Sequence, residues 1–203
     1  MSTEPDADTV LMLRVKEGDR LAFTALVEKY KQPVMNLAFR TLKDGTEAED
    51  VAQLVFLQVY KAAPRYAASA KFSTWLFTIA RNVCLNEIRR RSRHPADSLD
   101  EPAPGDDETS ARQHADLRSA APPDELLRDE LEDKVEEALA ALPENQRTAI
   151  LLWQRDESSY EEIAAVLGCS VSATKSLIHR GREALKERLK PYLRTGAWRA
   201  ANT

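Results

Sequence analysis

SSYEEIAAVLGCSVSATKSLIHRGREALKERL, residues 158–189, reads as two capped helices separated by a glycine turn. Ser159-x-x-Glu162 is a capping box, in which each side chain satisfies an orphan backbone donor at the start of a helix. Ile163, Ala164, Val166 and Leu167 give that short helix one apolar side, and Gly168 can take the left-handed conformation that ends it. Ser170 is a second N-cap, and Val171, Thr174, Ile178 and Leu185 form the inner face of a longer helix. Helix, tight turn, helix is the DNA-binding helix-turn-helix pattern, with small Ala164 where the two helices must approach closely.

The charge of the second helix agrees. Lys175, Arg180, Arg182, Lys186, Arg188 and Lys190 stand against Glu183 and Glu187. Lys175, Ser176, His179 and Arg180 fall in its N-terminal half, the part of a recognition helix that reaches base edges and phosphates. A solvated amphipathic helix in an ordinary bundle is the plainer alternative. The coincidence of caps, turn and charge favours DNA.

The chain has 203 residues, room for one large domain or two small ones. Its formal net charge is −4 with 31% charged residues, so a DNA role must rest on local basic patches. Six glycines, few aromatics and long runs of Leu, Ala, Glu and Arg predict an all-helical protein. Cys84 and Cys169 form no CxxC or Cys/His cluster, which favours two buried thiols in a reducing cytoplasm over a disulfide or zinc site. No metal or cofactor is expected. The acidic N-terminus lacks an apolar signal core and no run approaches membrane-spanning length, so a soluble cytoplasmic protein without membrane insertion is expected.

Working back toward the N-terminus, Asp8 or Thr9 is expected to cap a short helix closed by Gly18. Asp19 caps the next, with Phe23, Leu26, Val27 and Tyr30 buried and Pro33 bending it. Lys43-Asp44-Gly45 reads as a turn. The following helix, TEAEDVAQLVFLQVYKAA (46–63), has a core face of Ala48, Val51, Val55, Val59 and Ala62. Leu54, Phe56, Leu57 and Tyr60 make a second apolar side beside Asp50, Gln53, Gln58 and Lys61. Such a helix is either central in a bundle or half covered by a partner. After a loop at 64–71 comes FSTWLFTIARNVCLNEIRRRSR (72–93), with Phe72, Leu76, Ile79 and Val83 as its core stripe. Thr78, Asn82, Asn86, Arg89 and Arg93 recur on the opposite side, mixing amides that can bond bases with arginines that can bind phosphate. A polar solvent face is the alternative, and the Arg89–Arg91 run tips the reading toward nucleic acid.

Residues 94–123 are rich in Pro, Asp, Ser and Ala and lack the apolar content to fold alone, so they read as a flexible acidic linker. Two small helical domains result, over 1–93 and 124–190, with a tail at 191–203. In the second, Asp124 is expected to cap a helix through Leu127, Leu131, Val135, Ala138 and Leu142. Pro143 suits the first turn of another, Glu144 to Arg155, which with the helix-turn-helix completes a four-helix domain. The tail is expected to fray beyond Pro191, although Tyr192 and Trp198 are able to dock.

Four stretches together resemble one family, the extracytoplasmic-function (ECF) class of bacterial RNA polymerase sigma factors within the sigma-70 family. AFTALVEKY (22–30), EDVAQLVFLQVYKA (49–62) and FSTWLFTIARNVCLNEIRRR (72–91) resemble region 2; LPENQRTAILLWQRDESSYEEIAAVLGCSVSATKSLIHRGREAL (142–185) resembles region 4. The resemblance implies a promoter-specificity subunit that binds core RNA polymerase, reads −10 and −35 elements and promotes melting, with no covalent chemistry. It implies polymerase contacts to the β′ clamp helices through Asp50, Gln53, Leu54, Leu57, Gln58 and Lys61, and a second contact to the β flap. The −10 element would be met by Tyr66, Ala68, Ser69, Ala70 and Lys71, a loop expected to capture a flipped base, together with Thr78, Asn82, Asn86 and Arg89. The −35 element would be met by Ser170, Ser172, Lys175, Ser176, Leu177, His179, Arg180 and Arg182. Phe72 and Trp75 are expected as core under the loop. An anti-sigma partner is also implied, and a monomer when free.

Three positions depart from the family pattern. Leu54 stands where an acid is usual, Leu177 where a base is common, and the 66–71 loop lacks the frequent glycine and acid. A stand-alone helix-turn-helix regulator is the rival reading, but the N-terminal half shows neither a pocket pattern nor a heptad seam. A DNA-cutting enzyme would need clustered carboxylates or a nucleophile beside arginines, and no such constellation stands out.

Overall fold

The computed structural model describes residues 6–93, 123–154 and 158–195, and the 94–122 linker expectation lies outside them. The described residues are all-α. Four helices, α1 (Ala7–Lys16), α2 (Arg20–Leu42), α3 (Gly45–Ala62) and α4 (Phe72–Arg93), form a first bundle. A single 3-10 turn, Ala63–Arg65, follows α3. Four more, α5 (Pro123–Ala140), α6 (Glu144–Trp153), α7 (Tyr160–Leu167) and α8 (Val171–Thr195), form a second. No described helix is long and apolar enough to cross a membrane.

The first bundle closes on Tyr30, which is 1% exposed and meets Phe72 and Phe77 edge-on at 5.4 and 6.3 Å. Met12, Leu26, Val34, Val55, Val59 and Leu76 complete the interior. Caps set the helix starts. α1 begins two or three residues earlier than the sequence suggests, because Asp6 Oδ1 accepts from the Asp8 and Thr9 amides, leaving those residues inside the helix. Asp19 caps α2 as expected. α2 runs through Pro33 without a break, and its C-cap is Lys43 at φ 62°, not a glycine. Gly45 instead opens α3 behind its N-cap Asp44. Phe56, expected on the outer side of α3, is 9% exposed and belongs to the interior.

In the second bundle the capping box of Ser159 and Glu162 is present, and Gly168 at φ 66° ends α7. Pro143 is the N-cap of α6, and α6 stops at Trp153, with Arg155 outside the described residues. α5 already includes Pro123, ahead of the expected cap Asp124. α8 continues through Pro191 instead of fraying there, and Tyr192 docks at 8% exposure; Trp198 lies outside the described residues. A Cβ built on Gly181 would stand 2.9 Å from Ile150 Cγ1, so only glycine lets α8 cross α6 this closely.

The two bundles meet along a seam in which α7 lies on α4 and both α5 and α6 reach α2. Phe77, Leu151 and Leu152 line one small cleft along the seam, and Thr74, Phe77, Ile163 and Val166 line another. Charge supplies the rest: Arg40 pairs with Glu136, Arg81 with Glu144, and Lys71 with Glu162.

Candidate nucleic-acid interface

On α8, Ser170, Ser172, Lys175, Ser176, His179, Arg180 and Arg182 are exposed along the N-terminal half. Several have local duties. Ser170 Oγ accepts from the Ala173 amide at 3.1 Å as the N-cap, and Ser176 Oγ returns to Ser172 O at 3.0 Å. The guanidinium of Arg182 lies 4.8 Å over the Trp153 ring, so it is drawn toward α6 and away from the open face. Leu177, assigned to DNA by resemblance, is only half exposed and packs against the core. Lys175 Nζ sits 5.3 Å over Tyr160, an exposed ring that opens α7. Sequence reasoning missed Tyr160; the signal was an aromatic at the first position of a capped helix, where nothing apolar is nearby to bury it.

The second polar surface lies on α4 and the loop before it. Residues 67–71 are all exposed, and Asn82, Asn86 and Arg89 project outward from α4. Thr78 is half-buried and its hydroxyl donates to Thr74 O at 2.8 Å. Tyr66 departs from expectation. It is 2% exposed, packed edge-on against Trp75 at 4.9 Å, so its ring underpins the loop and does not line its mouth. Burial pushes its phenol pKa up, which keeps it neutral. Phe72 and Trp75 sit in or against the core as expected. The basic end of α4 is partly committed: Arg91 pairs with Glu47 and Glu87 and donates to Leu42 O, and Arg90 pairs with Glu87.

These two surfaces are brought side by side. Lys71 Nζ, at the end of the loop, lies 2.8 Å from Glu162 Oε1, while Glu162 Oε2 accepts from the Ser159 amide of the capping box. One carboxylate therefore closes the start of α7 and holds a loop lysine.

A third surface is on α3, where Asp50, Gln53, Leu54, Leu57, Gln58 and Lys61 are all exposed. Leu54 and Leu57 are 44% and 47% exposed, and Tyr60 beside them packs on Phe23 at 5.0 Å between ring centres. Two exposed leucines one turn apart with an aromatic pair alongside make a compact apolar patch rimmed by charge.

The residue that sequence reasoning missed most completely is Arg147. It is 9% exposed and its guanidinium donates to five carbonyl oxygens. Leu139, Ala140 and Leu142 at the end of α5 accept at 3.0, 2.7 and 2.9 Å. Arg40 and Thr41 at the end of α2 accept at 3.2 and 3.4 Å. The five donors of one guanidinium thus meet the orphan carbonyls of two helix C-termini, one in each bundle.

No group of three or more His, Cys, Asp or Glu side chains that could hold a metal occurs among the described residues. Cys84 is buried and burial pushes its thiol up to about 12; Cys169, expected to be buried, is half exposed, with Sγ 3.2 Å from Thr174 Oγ1.

Comparison with known proteins accounts for both bundles. Residues 26–94 match the family model for sigma-70 region 2, and residues 132–185 that for sigma-70 region 4. The RNA polymerase sigma-H factor of Pseudomonas aeruginosa is 39% identical over 93% of this chain and 97% of its own. The ECF RNA polymerase sigma factor SigW of Bacillus subtilis is 35% identical over 87% and 94%, and the ECF sigma-E factor of Escherichia coli 34% over 95% and 99%. Among solved structures, CnrH in complex with the cytosolic domain of CnrY aligns with a TM-score of 0.65 at 26% identity, covering 92% of this chain and 99% of that one. The sequence, the two bundles and these relatives agree, and the chain belongs to the ECF class of RNA polymerase sigma factors.

Proposed function

We propose that this promoter-recognition factor binds core RNA polymerase through the α3 surface, with Asp50, Gln53, Leu54, Leu57, Gln58 and Lys61 against the β′ clamp helices and Tyr60 and Phe23 extending the apolar patch. The second bundle meets the β flap. The exposed loop residues Ala68, Ser69, Ala70 and Lys71, with Asn82, Asn86 and Arg89, take the −10 element, and Thr78 shapes that face. Lys175, Ser176, His179 and Arg180, supported by Ser170, Ser172 and Arg182, take the −35 element. The factor does no covalent chemistry of its own, works in the cytoplasm where polymerase is, and is held in check by an anti-sigma partner. The units are residues 1–93 and 124–190, joined by 94–123.

One observation carries the polymerase assignment. The α3 patch is apolar, compact and turned to solvent, with Leu54, Leu57 and Tyr60 each more than 40% exposed. A free-standing DNA binder has no use for it, whereas a subunit docked on a larger machine covers it. Asp50→Arg is expected to weaken binding to core polymerase about tenfold or more, since it reverses a rim charge at the interface. Lys175→Ala with Arg180→Ala is expected to abolish dependence on the −35 sequence while polymerase affinity stays put. Loss of polymerase binding in the second variant, or unchanged binding in the first, overturns the assignment.

A further inference from the structure

The exposed loop 67–71 hangs between two buried posts, Tyr66 at 2% and Phe72 at 0% exposure. Within it the Ser69 amide donates to Ala67 O at 2.8 Å. Both posts are tied to α1. Lys16 Nζ donates to Tyr66 O at 2.8 Å. The Phe72 amide, the first of α4, donates to Thr9 Oγ1 at 3.1 Å, and the Thr9 hydroxyl donates in turn to Asp6 Oδ2 at 2.6 Å.

The second tie answers a local need. The residue before α4 is Lys71, whose side chain carries donors and no acceptor, so it cannot cap the helix that follows. Thr9, 2% exposed and 63 positions earlier in the chain, instead gives an acceptor to the first amide of the helix. α1 is itself fixed: Asp8 Oδ2 accepts from Tyr30 Oη at 2.7 Å and from Lys29 Nζ at 2.6 Å, which pins it to the centre of the bundle. The region 2 match begins at residue 26, so neither Thr9 nor Lys16 lies within the matched stretch.

We propose that Thr9 and Lys16 are positioning residues for the −10 loop, fixing both of its ends so that the exposed backbone between them accepts a particular unstacked base. The inference rests on the assignment of that loop under Proposed function. A flipped base is selected by pocket shape, so a loop whose posts drift admits more than one base and holds none as well. Thr9 supplies the acceptor at the far post; Lys16 supplies the donor at the near one.

The test uses the full chain reconstituted with core polymerase on promoters carrying each of the four bases at the captured −10 position. Transcript yield and permanganate reactivity of the melted strand are the readouts. Thr9→Val, which keeps the shape and removes the hydroxyl, is expected to shrink the preference for the best base by about three- to tenfold. Thr9→Ser is expected to restore it, and both variants to keep wild-type affinity for polymerase and for −35 DNA. Lys16→Met, at an exposed position, carries the same expectation and serves where Thr9→Val folds poorly. If Ser69→Gly and Lys71→Ala alter the base preference while Thr9→Val and Lys16→Met do not, the inference is overturned and the loop assignment stands. If none of the four alters it, the loop assignment fails and takes the inference with it.

Discussion

The interior of the first bundle and the seam between the bundles are built from different materials. Around Tyr30 the rings and aliphatic side chains of Phe72, Phe77, Leu26 and Val34 are nearly sealed from water. Along the seam the contacts alternate between a small apolar strip and charged groups that remain partly wet: Arg40 and Glu136 are 30% and 37% exposed, Lys71 and Glu162 50% and 19%. Apolar burial against fixed partners makes a unit that unfolds as a whole, whereas ion pairs left partly in water add little to the hold between two units.

The comparison is most sharply broken from the interior side. Phe72→Ala, deleting a fully buried ring between Tyr30 and Trp75, is expected to destabilise the first bundle by about 3–5 kcal/mol, measured by urea denaturation. Next comes Arg147, a charged seam residue that is buried like the interior. Arg147→Met strips the acceptors of two helix ends of their donors and is expected to lower stability by about 2–3 kcal/mol. It should also lengthen and broaden the distance between spin labels on Glu49 and Glu187, both exposed. An unchanged distance would mean that Arg147 serves the second bundle alone. Arg40→Ala removes only a wet ion pair, with an expected loss of about 0.2–1 kcal/mol that fades at high salt. Smallest in energy, but readable by mass spectrometry, is thiol reactivity. At pH 8 the Cys84 thiol, with its pKa pushed up to about 12, stays protonated as well as buried. Iodoacetamide should therefore label Cys169 well before Cys84. Equal rates would show that the first bundle breathes more than its packing implies.

What was legible in the sequence was local or periodic. The capping box at Ser159 and Glu162, the left-handed Gly168 and the Asp19 cap each involve residues a few positions apart, and each is present. The second apolar side of α3 was legible, but periodicity left open whether a bundle or a partner would cover it, and the structure buries Phe56 of that side while leaving Leu54, Leu57 and Tyr60 exposed. What was not legible depends on partners distant along the chain. Arg147 carries no pattern because its acceptors are backbone carbonyls, which every residue has. Thr9 was read as a possible cap for its own helix, when Asp6 caps it and the Thr9 hydroxyl serves Phe72. Tyr66 was placed on the mouth of a DNA-facing loop by position in a motif, and tertiary packing turned it inward. The turn at Lys43-Asp44-Gly45 was legible, but not that Lys43 would carry its left-handed conformation.

The most direct measurement is run-off transcription with bacterial core polymerase on fragmented genomic DNA, mapping RNA 5′ ends with and without the protein. New start sites sharing a −10 and a −35 element at constant spacing, lost together with Asp50→Arg, are the predicted result. No new starts, accompanied by tight sequence-specific DNA binding by the protein alone, would contradict the account and make the chain a self-sufficient regulator.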